Sequence, residues 1–331
     1  MTGERRRRRR RGEVIASVLA GSWRADPPAT SVTTDDLARV AALLVATGAA
    51  GLAWRTTRTR TDLLPVAEQL RRAWLLEVGR ERLRQELVAA LAATAGAKGI
   101  EVMVYKGWAA ARHYPGPGLR PSGDIDVIVQ PEDVPAAHEI AAAVPRIVLD
   151  IHSAPPPGLG TAHALLARAE RVTIDGATIA VPAPSDEVLM AAWHMFKHGA
   201  WRPLWLCDVA TVLEAAPGEA LPTDEPARSY WSAAAGLAAT MLDARTQPQA
   251  APEWVTRTVT EEWGWERFRA YGPLAASFRA SGLKAVAELP GRLPNRLAAA
   301  VALGFPIEVQ PDRTATYRVI ARRSRKLPGS H

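Results

Sequence analysis

The chain has 331 residues, 48% of them hydrophobic, which is enough to bury a substantial core, and no apolar run long enough to span a bilayer. Its net charge is +7, but the seven arginines Arg5–Arg11 account for all of it, so the remainder makes no bulk electrostatic case for nucleic-acid binding. The single cysteine, Cys207, excludes internal disulfides and cysteine-rich zinc sites, and a soluble cytoplasmic protein is expected.

Seven adjacent like charges repel one another and resist packing. The apolar stretch after them, 14–20, is too short for an export signal and is bracketed closely by Glu13 and Arg24. Residues 1–25 are therefore expected to be a basic, largely disordered tail. Residues 26–98 read as an N-terminal helical region. Thr33 to Asp36 offer caps for a helix with Leu37, Val40, Ala41, Leu44 and Val45 on one stripe, and Gly48 is its stop. A second helix, with Pro65 in its first turn, runs to about Ala97. Its Arg71, Arg80, Glu81 and Arg84 are expected on a solvated face, because acids and bases alternate there.

From 99 to 183 the pattern becomes that of a small α/β unit. Residues 100–105 read as a strand, followed by Lys106-Gly107 and a helix from Trp108. A glycine at that junction lets the backbone approach a phosphate, and Lys106 adds a mobile charge. The turn cluster 115–118 leads through Arg120, Ser122 and Gly123 to a second strand, Asp124-Ile-Asp-Val-Ile-Val129. Strand alternation puts Asp124 and Asp126 on one face, with Ile125, Val127 and Val129 on the other. After a helix over 131–143, the strand 146–152 carries Val148, Asp150 and His152 on one face and Ile147, Leu149 and Ile151 on the other. Pairing of these two strands would bring Asp150 beside the first two carboxylates. Such an acidic triad suits Mg²⁺ or Mn²⁺, and an ion pair about 3.5–4 Å apart clamps both oxygens of an in-line phosphoryl displacement. A hairpin over 171–181 completes the unit.

Residues 184–323 read as a C-terminal helical region, and 324–331 as a frayed end. His194, Lys197 and His198 cluster on one helical face, but without a third ligand they do not make a zinc site. Cys207 and the tryptophans are expected to pack rather than react.

With these residues placed, the chain resembles the nucleotidyltransferase superfamily of DNA polymerase β, and more closely a bacterial group of uncharacterised nucleotidyltransferases. The resemblance lies in Val104-Tyr-Lys-Gly107, Tyr114, Leu119-Arg-Pro-Ser-Gly-Asp-Ile-Asp126, Leu149-Asp-Ile-His152, His194, Lys197-His198 and Leu204-Trp-Leu-Cys-Asp208. It implies an α/β (α+β) fold, a mixed sheet flanked by N-terminal helices and a C-terminal helical region. It also implies transfer of a nucleoside monophosphate from an NTP to a hydroxyl or phosphate acceptor, with Mg²⁺ or Mn²⁺ as cofactor. The acceptor, a small molecule, a peptide or protein side chain or an RNA end, stays open. Carried over by position, Asp124 and Asp126 are metal ligands, and Asp150 is the third ligand or the base for an incoming hydroxyl. Lys106, Gly107, Ser122, Gly123 and Lys197 are the nucleotide contacts, and Arg120, His152, His194, His198 and Asp208 play supporting parts. In the wider superfamily a Gly-Ser pair opens the helix after the first strand, and here Lys106-Gly107 stands in its place. Phosphoryl transfer by the same metals, or a non-catalytic binding role, are the competing readings.

Overall fold

The structure, a computed structural model, describes residues 3–265 except 145, 199, 219–221, 225–226, 247–250 and 252. The helices expected beyond 265 and the frayed end lie outside the described residues.

The arginine run is helical, contrary to the disordered tail expected of it, with Arg8 buried and Arg6, Arg7, Arg9 and Arg10 exposed. Helix α1 (Gly3–Leu19) buries Val14, Ile15, Val18 and Leu19 against the helical core. Its charges are met both locally and from a distance in sequence. Arg5 Nε lies 2.8 Å from Glu261 on α11 (Glu253–Trp263), Arg9 pairs with Glu13, and the Arg8 guanidinium sits 4.1 Å over the Trp265 ring. Opposite charges and an aromatic face offset the repulsion on which the expectation of disorder rested. Gly12 lets the helices touch, since a Cβ there would collide with the Thr260 carbonyl.

Helix α2 (Thr34–Ala46) begins where its signals predict, with the Thr33 hydroxyl accepting from Asp36 N at 3.2 Å. The short α3 (Ala50–Thr57) follows, and then α4 (Leu64–Lys98), with proline in its first turn and left-handed Gly99 closing it. The first half of α4 packs on α2 and α3. Its second half places Val88, Leu91, Ala92 and Ala95 under the sheet.

The sheet is mixed and five-stranded, in the order β3-β2-β1-β5-β4. It comprises β1 (Met103–Tyr105), β2 (Ile125–Ile128), β3 (Leu149–His152), β4 (Glu170–Ile174) and β5 (Ala177–Val181). β1 runs antiparallel to β2 and parallel to β5, β2 and β3 are parallel, and β4–β5 is the expected hairpin. Short helices α5 (Gly107–Ala111), α6 (Val134–Ala143) and α7 (Ala162–Ala167) lie in the connections.

Alternation along the strands supplies two cores. Val104, Ile125, Val127, Val129, Ile179 and Val181 face α4 and α6. Met103, Tyr105, Ile128 and Ala180 face a helical layer of α8 (Pro184–Lys197), α9 (Pro203–Ala215) and α10 (Ala227–Leu242). No helix among the described residues is long and apolar enough to cross a membrane.

Candidate functional site

The face of the sheet that carries Tyr105 also carries the acids. Register pairs Tyr105 with Asp126 across β1–β2, and Asp126 with Asp150 across β2–β3. Two carboxylates on neighbouring strands at one level is the arrangement expected from alternation, and β3 is the edge strand, so Asp150 stays open while Asp126 is buried. The His152 Nε2 lies 3.0 Å from Asp150 Oδ2 and 3.8 Å from Asp126 Oδ1, within ion-pair range of both though not aligned for a hydrogen bond. One ligand atom from each of Asp126, Asp150 and His152 falls within 4.8 Å of the others. Asp124 stands outside that group, exposed just ahead of β2. Its charge still reaches the site: burial first, then Asp126, Asp150 and Asp124, push the Tyr105 hydroxyl well above its ordinary range.

Lys106 supplies the balancing charge. Its Nζ lies 2.6 Å from Asp126 Oδ1 and 4.5 Å over the Tyr105 ring. Burial alone would raise the Asp126 pKa, but the His152 imidazole and the Lys106 ammonium outweigh it and hold the group below the usual carboxylate range. Lys106 takes φ 56°, ψ −138°, a backbone conformation unusual for any residue with a side chain. The turn delivers the lysine back over β2 and starts α5 at Gly107. Gly107 is closely matched to the loop opposite, where a Cβ would come within 3.0 Å of Ser122 Cβ and Oγ. The Ser122 hydroxyl is buried there with no partner among the described residues, and Gly123 borders open space.

Buried ion pairs hold this loop. The Arg120 guanidinium makes contacts of 2.8–3.2 Å with Asp208 on α9, and the Tyr114 hydroxyl donates to the same carboxylate at 2.9 Å. On the other side, Arg84 Nη1 donates to the Ser122 carbonyl at 2.9 Å, and Glu81 accepts from Gly118 N. Glu81 and Arg84 are buried, not solvated as their charged surroundings led us to expect, because they clasp the backbone that precedes the acidic strand. Only a map of the fold shows this; nothing local in the sequence marks them out from Arg80.

A small cavity behind Lys106 is lined by Arg120, Glu187, His194, Trp205 and Asp208. His194 and His198 pack on each other at 4.6 Å and on Trp205, away from Asp126 and Asp150. Lys197 is the last residue of α8, and its side chain lies outside the described residues.

Two carboxylates and an imidazole converging at the edge of a sheet fit a divalent cation. Residues 33–143 and 145–227 match a family described as "Uncharacterised nucleotidyltransferase". No curated protein and no solved structure matches the chain.

Proposed function

The chain belongs to the uncharacterised nucleotidyltransferase family, and on that premise we propose that it moves a nucleoside monophosphate from an NTP to a hydroxyl or phosphate acceptor, releasing pyrophosphate. The observation that carries the reading is the side-by-side placement of Asp126 and Asp150, with His152 at ion-pair distance from both. Asp126 and Asp150 would hold the divalent metal, with His152 beside them and Asp124 at the mouth of the site. When bound, the metal supplies Lewis-acid stabilisation of the charge that develops on the α-phosphate and the leaving pyrophosphate.

The rest of the chemistry falls to the protein's own groups. The acceptor oxygen attacks the α-phosphorus, the bond to the bridging oxygen of the pyrophosphate breaks, and the acceptor's proton must go to a base. Asp150, half exposed and 3.0 Å from His152, is the group an acceptor hydroxyl reaches from solvent. Lys106 and the backbone of the Gly107 and Gly123 turns take the phosphates. Catalysis of this kind is mostly positioning and electrostatics, which suits a site clamped by buried ion pairs.

Thermal unfolding with Mg²⁺ or Mn²⁺, with and without NTPs, tests the site. Metal should raise the midpoint, an NTP should raise it further only with metal present, and Asp126→Asn with Asp150→Asn should remove both shifts. Product analysis with ATP labelled at the α- or γ-phosphate then separates the chemistry. Label transferred from the γ-position would replace nucleotidyl with phosphoryl transfer.

A further inference from the structure

The cations around the site are nearly all spoken for. Lys106 is on Asp126, Arg84 is near Glu77, Arg112 is near Glu187, and Arg120 is in the fork of Asp208. Arg202, just ahead of α9, is the exception, with no carboxylate in ion-pair range among the described residues. Its Nε donates to the Thr47 carbonyl at 2.7 Å. That contact uses one of five N–H donors, and no other acceptor for the fork is found among the described residues. The guanidinium is held in place nonetheless. It lies 6.0 Å over the Trp205 ring and fills the space beside Gly48, where a Cβ would collide with Nη2 and approach the Pro121 ring to 2.9 Å. Gly48 adopts φ 76°. The head group thus rests against the start of the Pro121-Ser-Gly-Asp124 loop, whose Gly123 borders open space and whose Asp124 is exposed.

A guanidinium in these surroundings is short of negative charge. Burial first, and then the neighbouring Arg120, lower its pKa to about 10, against the weaker pull of Asp208, Glu77 and Asp124. Arg202 is half-buried, and a cation partly withdrawn from water with no carboxylate beside it among the described residues is stabilised by an anion that arrives to pair with it.

We propose that Arg202 is an anion-binding residue, its free fork receiving the phosphate oxygens of a ligand seated over the Pro121–Asp124 loop. The inference deepens the nucleotidyltransferase reading and rests on it for the ligand class. The planar fork matches phosphate bidentately, as a lysine does not. Two sources offer the same chemistry: the triphosphate of the donor and a phosphate on the acceptor.

The test titrates the full chain with inorganic tripolyphosphate, a non-hydrolysable ATP analogue and Mg²⁺ alone, by calorimetry, for wild type, Arg202→Gln and Arg202→Lys. Loss of a charge-assisted contact should weaken tripolyphosphate binding about ten- to a hundredfold in Arg202→Gln. Arg202→Lys, which keeps the charge and carries the test should the Gln variant fail to fold, should still lose several-fold. A parallel loss for the ATP analogue assigns the site to the donor, and an unchanged analogue affinity assigns it to an acceptor phosphate. Tripolyphosphate binding that is absent from wild type, or equal in all three proteins, overturns the proposal. A wild type that binds tripolyphosphate through Arg202 but ignores Mg²⁺ would leave this inference standing and remove the metal-dependent reading instead.

Discussion

Replacing Asp208 by Asn should destabilise the protein by far more than a typical substitution. Asn keeps the shape of the side chain but removes its charge, and the group left behind is Arg120, whose side chain is 6% exposed against 4% for Asp208. Three nitrogen–oxygen contacts of 2.8–3.2 Å would be weakened, and the Tyr114 hydroxyl would lose its charged acceptor. Asp208 also offsets the mutual repulsion of Arg120 and Arg202. Breaking a buried pair from one side costs about 3–5 kcal/mol, because the survivor stays buried and uncompensated. At about 2–4 °C per kcal/mol, the thermal midpoint should fall by roughly 6–20 °C. The pair itself need not be stabilising relative to an apolar replacement. An Arg120→Met, Asp208→Leu double variant should therefore recover most of the loss, while releasing the acidic strand's entry loop from α9. Urea unfolding of the two singles and the double measures this directly. A cost below about 1 kcal/mol for Asp208→Asn, or a double variant no better than the single, would refute the reasoning that a buried charge is at stake.

Removing the lysine that sits on Asp126 should separate metal from nucleotide: Lys106→Met is expected to bind Mn²⁺ at least as tightly as wild type, since Nζ no longer occupies Asp126 Oδ1, but to bind ATP about tenfold or more weakly. Calorimetry with each ligand checks this, and equal losses for both would contradict it. Gly12→Ala should cost about 1–3 kcal/mol by forcing α1 off α11, whereas Gly3→Ala, with no atom near its Cβ position, should be neutral; urea midpoints decide. The depressed pKa of Asp126 gives an acid limb. A carboxylate whose folded value lies below its unfolded value, about 3.9, contributes stability above that pH and loses it as pH falls through the folded value. Asp126→Asn should therefore be less stable near neutrality and show a shallower loss below about pH 4, and parallel wild-type and variant profiles would exclude the linkage.

Where the sequence was legible, one physical rule decided the outcome locally. Ile125, Val127 and Val129 must share a face because strand side chains alternate, and they do share one, in the core under α4. The same rule set Asp150 and His152 apart from Leu149 and Ile151. The cap at Thr33 was equally readable, since it satisfies a backbone group within a turn of itself. What failed were inferences from a local pattern to a distant partner. A run of arginines is self-repelling only until Glu261 and Trp265, some 250 residues on, come to lie against it. Glu81 and Arg84 look like any other pair in a mixed-charge helix, and it is the loop at 118–122 that draws them inside. Helix α3 buries Gly51, Leu52, Ala53 and Thr56 alike, so it has no polar stripe for a periodicity argument to find.

The site shows the same division at finer scale. Alternation could say that Asp124 and Asp126 point one way, but not that β2 begins at Ile125, leaving Asp124 on the approach to the strand rather than in the ladder. That single residue of register separates a buried carboxylate held between Lys106 and His152 from an exposed one. The acids that converge are therefore those bound by strand pairing, Asp126 and Asp150, and Asp124 depends on the loop that Arg84, Arg120 and Asp208 hold down. A carboxylate positioned by a loop is only as fixed as the loop's anchors. Mutations at Asp208 should thus reach Asp124 before they reach Asp126, and a metal response that survives Asp208→Asn would mean that the laddered pair alone is enough to bind the ion.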